Sequence, residues 1–182
     1  MKHSIQVIAA GLIALGLALN LGGCSKQSPM QSGDNEIAGS LSKDVIYPQS
    51  TSRTLSYVLS QGGYQGGNMQ VPNGSTFHLQ LNALTPPQGT TLGSDVTLTM
   101  LAEKDAARNQ LLFSFGPSGC QFNPPAEVWF DWTDLGSKNA KLYYIDSDGV
   151  YHEQSPESVD FQGQRMSLRI DHFSRYAVAY SQ

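Results

Sequence analysis

The sequence predicts an all-β fold, an antiparallel β-sandwich, on three observations. Apolar residues recur at every second position in short runs, and turn-forming residues separate those runs. Gly and Pro are spread too widely for long helices, with 18 Gly and 9 Pro among 182 residues. A chain of this length fits one domain whose core needs neither a disulfide nor a metal. Charged residues make up 14% and the formal net charge is -4, so no basic surface is present to hold nucleic acid.

The first residues read as an address. Met1-Lys2-His3 supply a short positive start, and an apolar run follows from Val7 to Leu19. As a helix that run rises only about 20 Å, short of the roughly 30 Å of a bilayer core, so it reads as the apolar region of an export signal. Leu21-Gly22-Gly23-Cys24 comes next and resembles the lipobox of bacterial lipoproteins. Small residues before the scissile bond admit the signal peptidase, and the Cys24 thiol accepts a diacylglycerol. The amine released at Cys24 then takes a further acyl chain, palmitate by type. Acyl chains at about 0.8 kcal/mol per buried CH2 make such an anchor effectively permanent. Ser25, rather than Asp, follows the cysteine. By resemblance to the enterobacterial sorting rule, that implies delivery to the outer membrane.

Residues 1–23 are thus expected to be a removed signal peptide, residues 24–45 the lipidated cysteine with a tether, and residues 46–182 the sandwich. The tether composition, Ser25-Lys26-Gln27-Ser28-Pro29-Met30-Gln31-Ser32-Gly33-Asp34-Asn35-Glu36, cannot bury enough surface to fold. At about 5–6 Å × √n it holds the domain roughly 25 Å from the lipid. With Cys24 acylated, Cys120 has no intramolecular partner and reads as a small buried hydrophobe.

Beyond the tether the period is two. Leu55, Tyr57 and Leu59 alternate with polar or smaller neighbours, as do Phe77, Leu79 and Leu81, then Val96, Leu98 and Met100. Met166, Leu168 and Ile170 repeat the pattern, and Tyr176, Val178 and Tyr180 complete it. Gly62-Gly63, Pro72-Asn73-Gly74, Pro86-Pro87-Gln88-Gly89, Asp148-Gly149 and Gln162-Gly163 supply the turns. Ala102–Asn109 reads either as a helix or as a hairpin loop between two strands. No repeat of 20 to 50 residues is visible, which leaves a single domain.

Two stretches stand out. One is Phe115-Gly116-Pro117-Ser118-Gly119-Cys120-Gln121-Phe122-Asn123-Pro124-Pro125, followed by an expected strand from Ala126 to Trp132. The other is His172-Phe173-Ser174-Arg175-Tyr176-Ala177-Val178. With Gly66-Gly67, Val71-Pro72-Asn73-Gly74 and Leu142-Tyr143-Tyr144-Ile145-Asp146, they resemble the ZU-five domain of zonula occludens scaffolds, netrin receptors and ankyrins. The resemblance runs from Gly66 to Tyr180. It implies a β-sandwich that serves binding or assembly more often than catalysis. The chain departs from the family where Ser75 follows Gly74, since the family usually has Ala there.

In some members of that family a His-Phe-Ser tripeptide cuts itself. Carried onto this chain, the resemblance makes His172 the base and Ser174 the nucleophile, with Phe173 as the new C-terminus. His and Ser two residues apart point to the same side of an extended chain, as that chemistry requires. The alternative is that the tripeptide begins the last strand with Phe173 in the core.

The remaining candidates come from the residues themselves. In Glu127-Val128-Trp129-Phe130-Asp131-Trp132, one face carries Val128, Phe130 and Trp132, and the other carries Trp129 between carboxylates. Trp129 could form a sugar platform or a partner contact, or be covered by a loop or guard a sheet edge. Tyr143 and Tyr144 invite the same proposal with less force. Asp146-Ser147-Asp148-Gly149 lacks the later Glu of a calcium loop and reads as a hairpin turn. His78, His152 and His172 have no His or Cys at metal-ligand spacing, so neither a metal nor another cofactor is expected. The expected whole is an outer-membrane lipoprotein anchored through Cys24. Its sandwich would bind an envelope protein or glycan without catalysis.

Overall fold

The structure is a computed structural model and describes residues 46–180. The expected signal segment, the Cys24 anchor and the tether lie outside those residues. In chain order the strands are β1 (Gln49–Leu55), β2 (Tyr57–Val58), β3 (Gly63–Tyr64), β4 (Gly67–Gln70), β5 (Thr76–Leu79), β6 (Leu84–Thr85) and β7 (Val96–Asp105). They continue with β8 (Gln110–Gly116), β9 (Gln121–Asp131), β10 (Ala140–Ile145), β11 (Tyr151–Gln154), β12 (Ser158–Asp160), β13 (Arg165–His172) and β14 (Arg175–Tyr180). Two 3-10 turns, Leu59–Gln61 and Thr133–Leu135, are the only helical elements among the described residues.

The first sheet has the order β1-β7-β8-β14-β10-β11 and the second β12-β13-β9-β5-β4, with β6 joining β9. All of these pairings are antiparallel, as the alternating pattern predicts. The inward set of the first sheet includes Leu98, Met100, Leu111, Phe113 and Val178, and that of the second includes Phe77, Val128, Phe130, Met166 and Ile170, all buried. The two sets meet face to face: the Phe113 and Phe130 rings lie 5.0 Å apart, and Phe77 and Phe115 lie 6.1 Å apart. This is a sandwich with one shared core.

The period-two reading holds for most strands; Tyr180, expected on the apolar face with Tyr176 and Val178, is 46% exposed at the end of β14, and three further departures have local reasons. The expected run through Leu59 breaks after Leu55, because Gly62 in the left-handed region (φ 65°) closes a turn that turns Leu59 out to 87% exposure. The run through Leu81 stops at Leu79, and Leu81 is half exposed beside Asn82, which itself takes φ 61°. The strand expected to begin at Ala126 begins instead at Gln121 and runs through Pro124-Pro125. The prolines fit because the β13–β9 register jumps between Ile170↔Ala126 and His172↔Gln121, so no ladder donor is needed there.

The open choice at Ala102–Asn109 resolves to a hairpin. β7 continues to Asp105, whose Oδ1 accepts the backbone N–H groups of Ala107 (3.1 Å) and Arg108 (3.2 Å). The Asp146–Gly149 segment is also a hairpin turn. Gly149 has φ 81°, and Asp146 Oδ1 accepts the N–H groups of Asp148 and Val150, each at 2.9 Å.

Candidate functional site

The His172-Phe173-Ser174 segment occupies a corner. β13 ends at His172 in the second sheet and β14 starts at Arg175 in the first, so Phe173 and Ser174 carry the chain from one layer to the other. The tripeptide therefore joins two strands and does not begin the last one. Phe173 is buried, with ring centroids at 4.8 Å from Phe122, 5.6 Å from Phe77 and 5.7 Å from Phe115. The two sequence stretches that stood out are thus brought together by their aromatic residues.

Outside the corner, His172 and Asp171 face solvent and are joined to each other, Nδ1 to Oδ1, at 2.6 Å. Among the described residues, no hydrogen bond joins His172 to Ser174. Tyr176, just beyond, has its hydroxyl pKa pushed up to about 12, chiefly by burial, with the Ser174 side chain working the other way.

A cleft opens between the sheets beside this corner. Tyr144 and Gln154 of β10 and β11, with Tyr176 of β14, form one wall, and β13 forms the other through Leu168, Ile170 and the Asp171–His172 pair. Its volume is about 360 Å³. A neighbouring cavity of about 410 Å³ shares Asp171 and His172 and adds Thr85, Gln121 and Asn123. Tyr144 stands edge-on to Tyr176 at 6.1 Å and near His152 at 6.0 Å, so the aromatic contacts run from the core out to this cleft.

The outer face of the second sheet carries the Trp129 candidate. Strand register aligns Gln70, Thr76, Trp129, Ser167 and Ser158 in one cross-strand row, and Asn68, His78, Glu127 and Arg169 in the next. Val128, Phe130 and Trp132 point into the core as the pattern predicts. Trp129 is half-buried: its Nε1 donates to Glu127 Oε1 at 2.9 Å, and the Arg165 guanidinium sits 5.4 Å from the ring centroid. The tryptophan thus already has partners for both its N–H and its π-face. His78 is exposed and bonds Asn68, while Tyr143 is half-buried and packs 6.0 Å from Tyr151 on the outer side of the first sheet.

The end of β9 is held by a polar latch that sequence reasoning missed. Ser75 Oγ accepts the Asp131 N–H at 2.8 Å, and the Ser75 N–H donates to Asn73 Oδ1 at 2.9 Å. Asp171 was also missed as the partner of His172, although its position next in sequence was a usable signal. The partnership of Tyr144 with β13 had none, since it depends on how the sheets stack. Compared with models of known protein families the chain matches none, and a search of curated proteins finds no match either.

Proposed function

We propose that this chain is a bacterial lipoprotein of the outer membrane, anchored through acyl chains on Cys24. Its sandwich is a ZU-five-like binding or assembly module, held out on the 24–45 tether. The partner is an envelope protein or glycan, and the module does not turn over a substrate. The observation that carries the reading is the distribution of polar chemistry. The side chains that could engage a ligand lie on preformed surfaces, in rows across several strands and along an open cleft, on a rigid aromatic core. The aromatic junction of Phe115, Phe122 and Phe173 supports the ZU-five-like assignment, because it unites the stretches on which the resemblance rests.

Metabolic labelling with palmitate and membrane fractionation test the anchor. The wild-type chain should carry label and sediment with the outer membrane, and Cys24→Ser should lose both properties. An unlabelled, soluble wild-type protein would overturn the anchor.

A further inference from the structure

The paired cavities around Asp171 and His172 have a consistent chemistry. Tyr144, half-buried and backed by the buried Tyr176, offers aromatic surface on one side, and Leu168 adds an apolar patch opposite. The rim is made of planar polar groups: Gln154 and Arg169 in the first cavity, Gln121 and Asn123 in the second, with Asp171 shared between them. Gln121 and Asn123 are exposed, and their side-chain amides make no hydrogen bond within the described residues. Asp171 and His172 are already fixed against each other at 2.6 Å while 74% and 54% of their side-chain surfaces stay accessible.

An apolar ligand would strip water from the amides of Gln121 and Asn123 without replacing it, which is unfavourable. A deeply anchored peptide side chain would meet the same difficulty, since the second cavity is polar apart from Phe122. A sugar ring resolves both demands. Its C–H face packs on an aromatic ring, and its vicinal hydroxyls pair with amide and carboxylate groups that accept and donate in one plane. Arg169 lies on the same strand as Asp171 and its Nε pairs with Glu157 at 3.5 Å, so the Asp171 carboxylate meets a ligand with no arginine opposing it, and an uncharged chain suits the site better than a polyanion.

We propose that this cleft, and not the Trp129 face, is a binding site for an uncharged oligosaccharide, with Tyr144 as the stacking ring and Asp171, Gln121 and Asn123 as the hydroxyl-pairing set. The assignment rests on the binding-module reading and names its ligand class and its site. Full chain in detergent micelles, titrated with the β-1,4-linked tetramer of N-acetylglucosamine and with maltotetraose, tests it by saturation-transfer NMR and calorimetry. At least one tetramer should bind. Tyr144→Ala and Asp171→Asn should each weaken that binding about ten-fold. Tyr144→Phe keeps the ring and should bind as wild type, which separates stacking from a folding defect. Trp129→Ala should leave affinity unchanged. Absence of binding by either tetramer overturns the proposal, as does binding that survives Tyr144→Ala and Asp171→Asn or is lost only in Trp129→Ala. A cross-linked envelope protein in this cleft, with no saccharide binding, would overturn the ligand class while the binding-module reading stood. Failure of the palmitate labelling would bear on the anchor alone.

Discussion

The ring of Phe173 stacks on that of Phe115, with centroids 5.7 Å apart and planes 15° from parallel. One ring belongs to the link between the sheets and the other to the end of β8. Their contact ties the corner of the sandwich to the first sheet, while Phe122 and Phe77 hold the same Phe173 ring from the second sheet. Removing such a ring leaves a cavity that neighbouring rings on rigid strands cannot fill. Phe173→Ala should cost about 3–5 kcal/mol, a large share of the stability of an ordinary domain. Urea unfolding measures it as a lower midpoint at unchanged slope. In a double-mutant cycle with Phe115→Leu the two rings should couple by about 0.5–1.5 kcal/mol. Strict additivity would show that they share a core without acting on each other.

The Val71–Ser75 turn is the second place where one side chain decides local structure. Ser75 is completely buried, and its Oγ is the acceptor for the Asp131 N–H at 2.8 Å. Ser75→Ala strands that donor and should cost about 1–3 kcal/mol. Gly74→Ala should be at least as damaging. Its φ of 99° disfavours a side chain, and a Cβ would lie 2.8 Å from Asp131 Oδ2. Hydrogen exchange at the Asp131 amide reports the first effect directly. Unchanged protection in Ser75→Ala would mean that another acceptor serves the donor.

The same turn shows what the sequence could and could not convey. Alternation placed Val128, Phe130 and Trp132 on the core face and Trp129 on the opposite one, because side-chain direction along a strand is a local property. Turn chemistry, which is equally local, assigned the Asp-Gly hairpin at Asp146–Gly149. Leu59 and Leu81 misled, since apolar identity was read as burial where glycine and a left-handed Asn82 bend the chain outward. Pairings between distant strands carried no local signal. The latch from Ser75 to Asp131, the cap of Arg165 over Trp129, and the cleft between Tyr144 and β13 all depend on which strands become neighbours.

Cys120 is buried, and burial alone pushes its thiol pKa up to about 11, from an ordinary 9.0. At pH 8 the thiol therefore stays protonated and should resist iodoacetamide in the folded protein, then react once urea exposes it. The linkage has a definite sign. A pKa raised by folding contributes stability that is complete below pH 9.0 and is lost as pH rises through about 11. Tyr176 adds in the same direction between its ordinary 10.0 and about 12. Thermal unfolding between pH 8 and 12 should show a falling alkaline limb that is shallower in Cys120→Val. Rapid alkylation of the native protein at pH 8 would contradict the burial argument.

Self-cleavage at Phe173–Ser174 requires Ser174 Oγ to attack the Phe173 carbonyl carbon. The amide becomes an ester, the Ser174 nitrogen is released as an amine, and water then hydrolyses the ester to leave a Phe173 carboxylate. His172 must take the hydroxyl proton, and strain must favour the ester over the amide. The backbone at His172, Phe173 and Ser174 holds none of the positive φ angles found elsewhere among the described residues, and no hydrogen bond joins the His172 imidazole to Ser174. Phe173 is locked among three other phenylalanines. We therefore expect the intact mass of the full chain, under denaturing conditions, to correspond to an uncut C-terminus, identical in kind for Ser174→Ala. A species shorter by residues 174–182, roughly 1 kDa, that vanishes in Ser174→Ala would make the corner a reaction centre and the last strand its product.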